Sequence, residues 1–381
     1  MAREPAAVFA RLRAAGGWAY STRWGGFWSA FRYADVLRVA ADPQTFVTSI
    51  QNLVPPSPRS GLPRPPLQLD PPAHARFRRA INPFFEPDRV RLLLPELRQL
   101  AGRFLYSWVQ SGAGDGVADY AAHLAVRAVA RLLGLPEAIV DDAQKISSRY
   151  VEAVAASDVP RAAALSADLD DLARQAVRNT LQKTGGAPDS PVVVLWHRRA
   201  ELGIGFDDVA GFVRALLVGA DRSTTNALGS AIWHLACHPS LQQWLRFHPG
   251  RVADAVDELV RLYPPALATA RTAVRDTVVG HQAIRAGQVV AMVLFAANRD
   301  PGVFHDPDRF QLDRPHRANL SFGHGIHKCP GQHLARLLMG VALEALLTST
   351  RDFCLAGPVI WRRWPEFGPA RLPLTLRSGP A

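Results

Sequence analysis

Apolar residues recur every three or four positions along most of this chain, the spacing of a helix with one buried face. The pattern predicts helices over residues 90–109, 120–133, 161–182, 207–234, 250–262 and 331–347. Strand-like runs are fewer, at 24–31, 268–279, 289–293 and over roughly the last twenty residues. Proline-rich connectors at 54–72 and 301–315 separate no compositionally distinct halves. They read as long functional loops inside a single domain spanning 1–381. No internal repeat is visible, so the expectation is a mainly α domain with minor β.

With 48% hydrophobic and 20% charged residues over 381 positions, the chain has ample material for a large core. Its net charge of +11 raises the question of nucleic acid. Lysine occurs only at Lys145, Lys183 and Lys328, so the excess is arginine, dispersed and mixed with carboxylates. No basic block or nucleic-acid motif appears, and no nucleic-acid partner is expected. Three cysteines (Cys237, Cys329 and Cys354) form neither a CxxC pair nor an even disulfide framework, which suits a reducing compartment. The first residues carry arginines and no continuous apolar run, unlike a leader or an anchor. The longest apolar stretch, 289–297, is too short to span a bilayer. A cytoplasmic protein without a membrane segment is expected.

Chemistry concentrates in Ser321-Phe-Gly-His-Gly-Ile-His-Lys-Cys-Pro-Gly331. Glycines at 323 and 325 permit a tight loop that approaches a flat object closely. Cys329 follows, just before a predicted helix, where free N–H groups and the dipole stabilise a thiolate. His327 and Lys328 add positive charge. The cysteine is thus a candidate nucleophile or metal ligand, against the plainer reading of a buried structural thiol.

The surrounding residues resemble the haem-binding signature of the cytochrome P450 family, F-G-x-G-x-H-x-C-x-G, through Phe322, Gly323, Gly325, His327, Cys329 and Gly331. Glu258-Leu-Val-Arg261 is similar to the family's E-x-x-R helix. In the family that pair is joined by an arginine from the following loop, for which Arg309 is the best fit and Arg314 the second. The resemblance implies a cytochrome P450 fold, a single triangular-prism-like domain with haem between the long central helix and the cysteine loop. It also implies haem b (iron protoporphyrin IX) with Cys329 on the iron. The positions of His74, Arg78, Arg271 and His327 correspond to contacts of the haem propionates.

Two departures from the family pattern bear on chemistry. On the long helix, Gly219-Ala-Asp-Arg-Ser-Thr-Thr-Asn226 places Arg222 where the family carries an acid and Ser223 where it carries threonine. A one-residue slip puts Ser223 at the acid and Thr224 at the alcohol instead. Arginine stays protonated at any working pH and cannot relay protons as a carboxylic acid does. Three readings are open. Arg222 faces away from haem and pairs with an acid such as Asp168, Asp170 or Asp171. Alternatively it clamps a substrate carboxylate, as in the family's fatty-acid peroxygenases, or Asp221 takes the acid role through a helix distortion. The second departure is Pro330, which has no N–H to donate toward the sulfur and equally suits a helix start.

By the resemblance, the pocket draws on residues 46–69, on 161–171, on Ala215, Val218 and Gly219, on Leu267, Ala268 and Thr269, and on Phe367. These are mostly small or apolar, which points to a hydrophobic small molecule. Arg76, Arg79, Lys328 and Arg336 suggest a basic face for a separate ferredoxin or flavodoxin and its reductase. The leading expectation is a monooxygenase of secondary metabolism. A peroxide-using or non-monooxygenase enzyme is the alternative, and a haem-binding protein without turnover the third.

Overall fold

The computed structural model describes residues 4–57, 61–182 and 190–379, so residues 58–60 of the expected pocket loop lie outside the described residues. The helices that matter here are α1 (Ala73–Ile81), α2 (Leu94–Ser111), α3 (Ala122–Leu133), α4 (Val140–Ala155), α5 (Val159–Gln182), α6 (Phe206–Ala236), α7 (Val252–Leu262) and α8 (Gln332–Ser349). The strands that matter here are β1 (Trp18–Ser21), β2 (Phe27–Ala30), β3 (Phe46–Val47), β4 (Thr269–Ala273), β5 (Val289–Met292), β6 (Thr350–Leu355), β7 (Ile360–Arg362), β8 (Gly368–Arg371) and β9 (Pro373–Ser378).

The expected helices and strands form with shifted ends. Strand 24–31 begins only at Phe27, because Arg23–Gly25 makes a turn with Trp24 in the left-handed region at φ 52°. The expected strand 268–279 breaks in two around Arg275 and Asp276. Helix α4 is not announced by the hydropathy pattern. Its buried stripe is Val140, Ala143, Ser147, Tyr150 and Ala153, a helical face built mostly from small and polar residues.

The 31-residue α6 runs through the middle of the molecule. It is apolar on nearly all sides because it is buried on nearly all sides. At its start the Asp208 carboxylate accepts the Gly205 N–H at 2.8 Å. The main core gathers α2, α3, α6 and α8, with Leu97, Leu124, Leu228 and Leu343 fully buried. Beside this helical body lies a five-stranded sheet in the order β1-β2-β5-β4-β3, in which only β2 and β5 run parallel. Strands β6 and β9 pair at the C-terminus, and β7 and β8 form a hairpin whose turn carries residues 363–367. Among the described residues no helix is long and apolar enough to cross a membrane.

One buried charge cluster ties α7 to the loop that leads toward Cys329. Glu258, with no exposed surface, holds Arg261 through two 2.8 Å bonds and Arg314 through a third at 3.1 Å. Arg261 also donates to the carbonyls of Asn298 and Pro307 at 2.8 Å each. Arg314, not Arg309, therefore completes the cluster. The Arg309 side chain is 79% exposed and meets only Asp306, while its backbone carbonyl faces Arg261. The motif spacing allowed either arginine; the turn at 306–309 sends the nearer one to solvent.

Removing one partner of a fully buried ion cluster leaves a charge uncompensated. Arg314→Ala is expected to lower stability by about 3 kcal/mol, whereas Arg309→Ala should stay within about 0.5 kcal/mol of wild type. Denaturant unfolding of the two variants checks the difference.

Candidate active site

The cysteine loop is shaped before any cofactor is considered. The Cys329 N–H donates to the Phe322 carbonyl at 2.8 Å, closing the segment on itself. Gly325 has φ +71°, and a Cβ there would run into the carbonyl of Ala40. Only glycine allows that approach. Helix α8 starts at Gln332, and Arg336 on its first turns lies over the Phe322 ring at 4.3 Å while bonding Asp257 at 2.5 Å.

Burial pushes the Cys329 thiol up; the Gly331 N–H, which donates to the sulfur, then Arg78 and Arg336, pull the other way. The chain therefore retains one backbone donor to sulfur after Pro330, which itself supplies none. Cys329 lies deep in the molecule, yet part of its surface remains accessible. That combination places the sulfur on the wall of an internal chamber.

On the same side, His74 and Arg78 of α1, Arg271 of β4 and His327 of the loop converge. The His74 and His327 rings lie 4.3 Å apart. His327 Nε2 meets Thr48 Oγ1 at 3.2 Å, and the Asp70 carboxylate accepts the Thr48 N–H at 2.9 Å. Burial, then Arg78, lowers His74 to about 4. Burial, then Arg271 and His74, lowers His327 to about 3. Burial lowers Arg271 to about 10, and its bond within the chain is to the Ala270 carbonyl at 2.8 Å. His74 Nε2 is buried without a hydrogen-bond partner among the described residues. Arg271 and the two imidazoles thus share one carboxylate, Asp70, with Arg78 close by, and one imidazole nitrogen lacks a partner among the described residues. Burying so much unbalanced charge and polarity is costly unless an anion completes the set. The cluster fits a bound group that carries carboxylates, whose metal Cys329 would hold.

Across the chamber, Ala215, Gly219 and Ser223 follow one another at one-turn spacing on a face of α6 that keeps accessible surface. A Cβ at Gly219 would meet nothing within 4 Å. Ser223 Oγ donates to the Gly219 carbonyl at 2.6 Å. Arg222 does not enter the chamber. It turns to α4, donating to the Ser148 carbonyl and to Glu152 Oε1 at 2.8 Å each. The partner is none of the three aspartates named from the sequence. Asp170 pairs with Arg214 at 2.7 Å, Asp171 with Arg174 at 3.1 Å, and Asp168 is exposed. The carboxylate-clamp reading of Arg222 falls with that orientation.

Asp221 sits beside Ser147 and Ser148, and burial raises it to about 6. Helix α6 runs unbroken past it, so no local distortion brings it round to the chamber. Thr224 is buried. Val218 packs against the cluster around Tyr150.

Two of the expected pocket residues belong to the core instead. Leu267 and Phe367 are each 1% exposed and pack with Phe295, whose ring centroid lies 5.2 Å from that of Phe367. Ala268 is buried too, and Thr269 keeps accessible surface. Sequence reasoning missed Thr48, Glu152 and Glu366. Of these Glu366 carried a signal, as a carboxyl in an otherwise apolar and basic C-terminal segment. On the cysteine side Arg76, Arg79 and Lys328 are exposed, while Arg336 is committed to Asp257.

A helical body, a small sheet and a glycine-shaped cysteine loop tied to a buried Glu–Arg cluster fit the haem-thiolate class. The family model Cytochrome P450 matches residues 252–351. The mycinamicin IV hydroxylase/epoxidase of Micromonospora griseorubida is 32% identical over 363 residues, covering 92% of this chain and 88% of that protein. The cyclomarin C epoxidase CymV of Salinispora arenicola is 30% identical, covering 92% and 90%. The crystal structure of the myxobacterial cytochrome P450 CYP267B1 in complex with myristic acid superposes with a TM-score of 0.88 at 30% identity, covering 99% of this chain and 97% of that one. The chain belongs to the cytochrome P450 family. It is an enzyme of the monooxygenase kind, and its cofactor is haem iron.

The loop geometry makes a direct prediction. Gly325→Ala adds backbone strain of about 1–3 kcal/mol to the collision with Ala40, and haem content per protein, read from Soret absorbance, should fall severalfold. Gly340→Ala is the control: it lies in α8 with nothing within 4 Å of the added methyl, and should bind haem normally.

Proposed function

We propose that this enzyme inserts one oxygen atom from dioxygen into, or oxidatively couples, a largely hydrophobic small molecule of secondary metabolism. It works in the cytoplasm with haem b and takes electrons from a separate ferredoxin or flavodoxin and its reductase. The observation that carries the reading is the orientation of Arg222. With that guanidinium bound to α4, the chamber face of α6 offers small residues and the Ser223 hydroxyl, with no cation there to seat a substrate carboxylate. Relatives named as a hydroxylase/epoxidase of mycinamicin IV and an epoxidase of cyclomarin C support the substrate class.

When bound, haem supplies the iron at which dioxygen is reduced and one oxygen atom is delivered. The chain's own residues do the rest. Cys329 offers its sulfur as the iron ligand, with only the Gly331 N–H donating to it locally, so the sulfur retains electron density. His74, Arg78, Arg271 and His327 would hold the propionates by charge-assisted bonds. The apolar face of α6 excludes water, and Ser223 holds a proton at Oγ one turn from Gly219. Exposed Arg76, Arg79 and Lys328 present positive charge on the cysteine side, where an acidic electron carrier would dock.

The test compares oxidants on one substrate found by Soret shift. Turnover with NADPH, ferredoxin and reductase is expected to exceed turnover with hydrogen peroxide by about tenfold or more. Turnover with peroxide alone would overturn the dioxygen reading and favour a peroxide-using enzyme.

A further inference from the structure

Glu366 is a deep carboxyl to which the reaction as described assigns no part. It stands in the turn between β7 and β8, in the segment Ile360-Trp-Arg-Arg-Trp-Pro-Glu-Phe367. The turn is pinned to the chain entering β4: Ala266 bridges to Glu366, and the Phe367 N–H donates to the Pro265 carbonyl at 2.8 Å. Glu366 Oε2 accepts a bond from Asn226 Nδ2 at 3.2 Å. Asn226 lies one turn beyond Ser223 on α6. Close approach enforces this contact, since a Cβ at Gly368 would fall 2.5 Å from Asn226 Cβ. Like Cys329, Glu366 lies deep in the molecule yet keeps some accessible surface, as a residue on a chamber wall does.

Charged groups surround it. Arg222 and Asp221 face Glu366 from α6 and Arg362 faces it from β7, with Asn226 as its bonded neighbour. Glu152 of α4 is 58% exposed and holds Arg222 at 2.8 Å. It also faces Arg362, while Ser147 and Ser148 flank Asp221.

We propose that Glu366 is the proton-supplying acid of the chamber, filling from the C-terminal turn the place that Arg222 cannot fill from α6. Burial outweighs the two arginines and raises Glu366 to about 7, so it gains and loses a proton near neutral pH. On delivery the Glu366 O–H bond breaks and the proton passes, past Asn226 and Ser223, to the oxygen being reduced. The electrons come from the redox partner and none through Glu366. The carboxylate left behind lies in the field of Arg222 and Arg362 until it takes up a solvent proton through its own accessible surface. The inference rests on the dioxygen reading proposed above, because only reductive activation draws protons from the protein at each turnover.

The test uses the haem-loaded enzyme with its electron carriers. Glu366→Gln keeps the shape and removes the acid proton; Glu366→Asp keeps the acid. Product per NADPH should fall about tenfold or more in Glu366→Gln, with hydrogen peroxide released in its place, and recover in part in Glu366→Asp. Peroxide-driven turnover, in which the oxidant brings its own protons, should change little. Apart from turnover, infrared titration of the wild type should show a protonated-carboxyl band that disappears near neutral pH and is absent from Glu366→Gln. Unchanged product per NADPH in Glu366→Gln overturns the proposal, as does a weakened substrate Soret shift with coupling intact, which would make Glu366 a substrate contact. Should Glu366→Gln fail to take up haem, Asn226→Leu replaces it with the same expected loss of coupling, and unchanged coupling there also overturns the proposal. A wild type driven only by peroxide sinks the dioxygen reading, whereas a reductase-driven wild type with an unaffected Glu366→Gln sinks this inference alone.

Discussion

The structure turns on keeping a sulfur anion at the centre of a protein, where burial by itself favours the neutral thiol. Four features of the chain work against that penalty. The loop closes through the Cys329 N–H, the Gly331 N–H is aimed at sulfur, and Arg78 and Arg336 bring positive charge near it. An iron facing the sulfur completes the balance, since a metal-bound thiol is deprotonated outright. The same demand explains the buried Glu258 cluster, which fixes the chain on its way to the loop without touching the site.

A second charge problem lies across the chamber and is solved with inverted polarity. The α6 position where the resemblance leads one to expect an acid holds Arg222, and the surface group that pairs with it is the acid Glu152. The positive charge is thereby anchored in α4, outside the chamber, and the adjacent carboxyls Asp221 and Glu366 are left protonatable near physiological pH. One of these carboxyls stays on the central helix, and the other stands in the C-terminal turn. Cysteine-side and distal-side electrostatics thus differ: His74, Arg78, Arg271 and His327 gather on one side, and two buried carboxyls, Asp221 and Glu366, lie on the other.

Much of this was legible in the sequence, for reasons that can be named. The helical periods of α2, α3, α5, α6, α7 and α8 are strong because each buries a broad apolar face. The cysteine loop was legible because its glycines, histidine and cysteine each meet a separate mechanical need. What stayed hidden depended on three-dimensional choice between near-equivalents. By resemblance Arg309 was the better fit to the triad and Arg314 the second, and the turn at Asp306 reverses that order. Leu267 and Phe367 look like pocket residues until Phe295 is seen filling the space beside them. Helix α4 hides its core face in alanine and serine, so its Glu152 was not considered as a partner for Arg222.

The account depends most on Cys329 being the iron ligand, and the ferrous carbon monoxide spectrum reads that ligand directly. The wild type should show the red-shifted Soret band that a thiolate opposite carbon monoxide produces. Cys329→Ser, folded and haem-loaded, should lose it. A red-shifted band that survives in Cys329→Ser would contradict the assignment of the sulfur, and with it the placement of the chamber between Cys329 and α6.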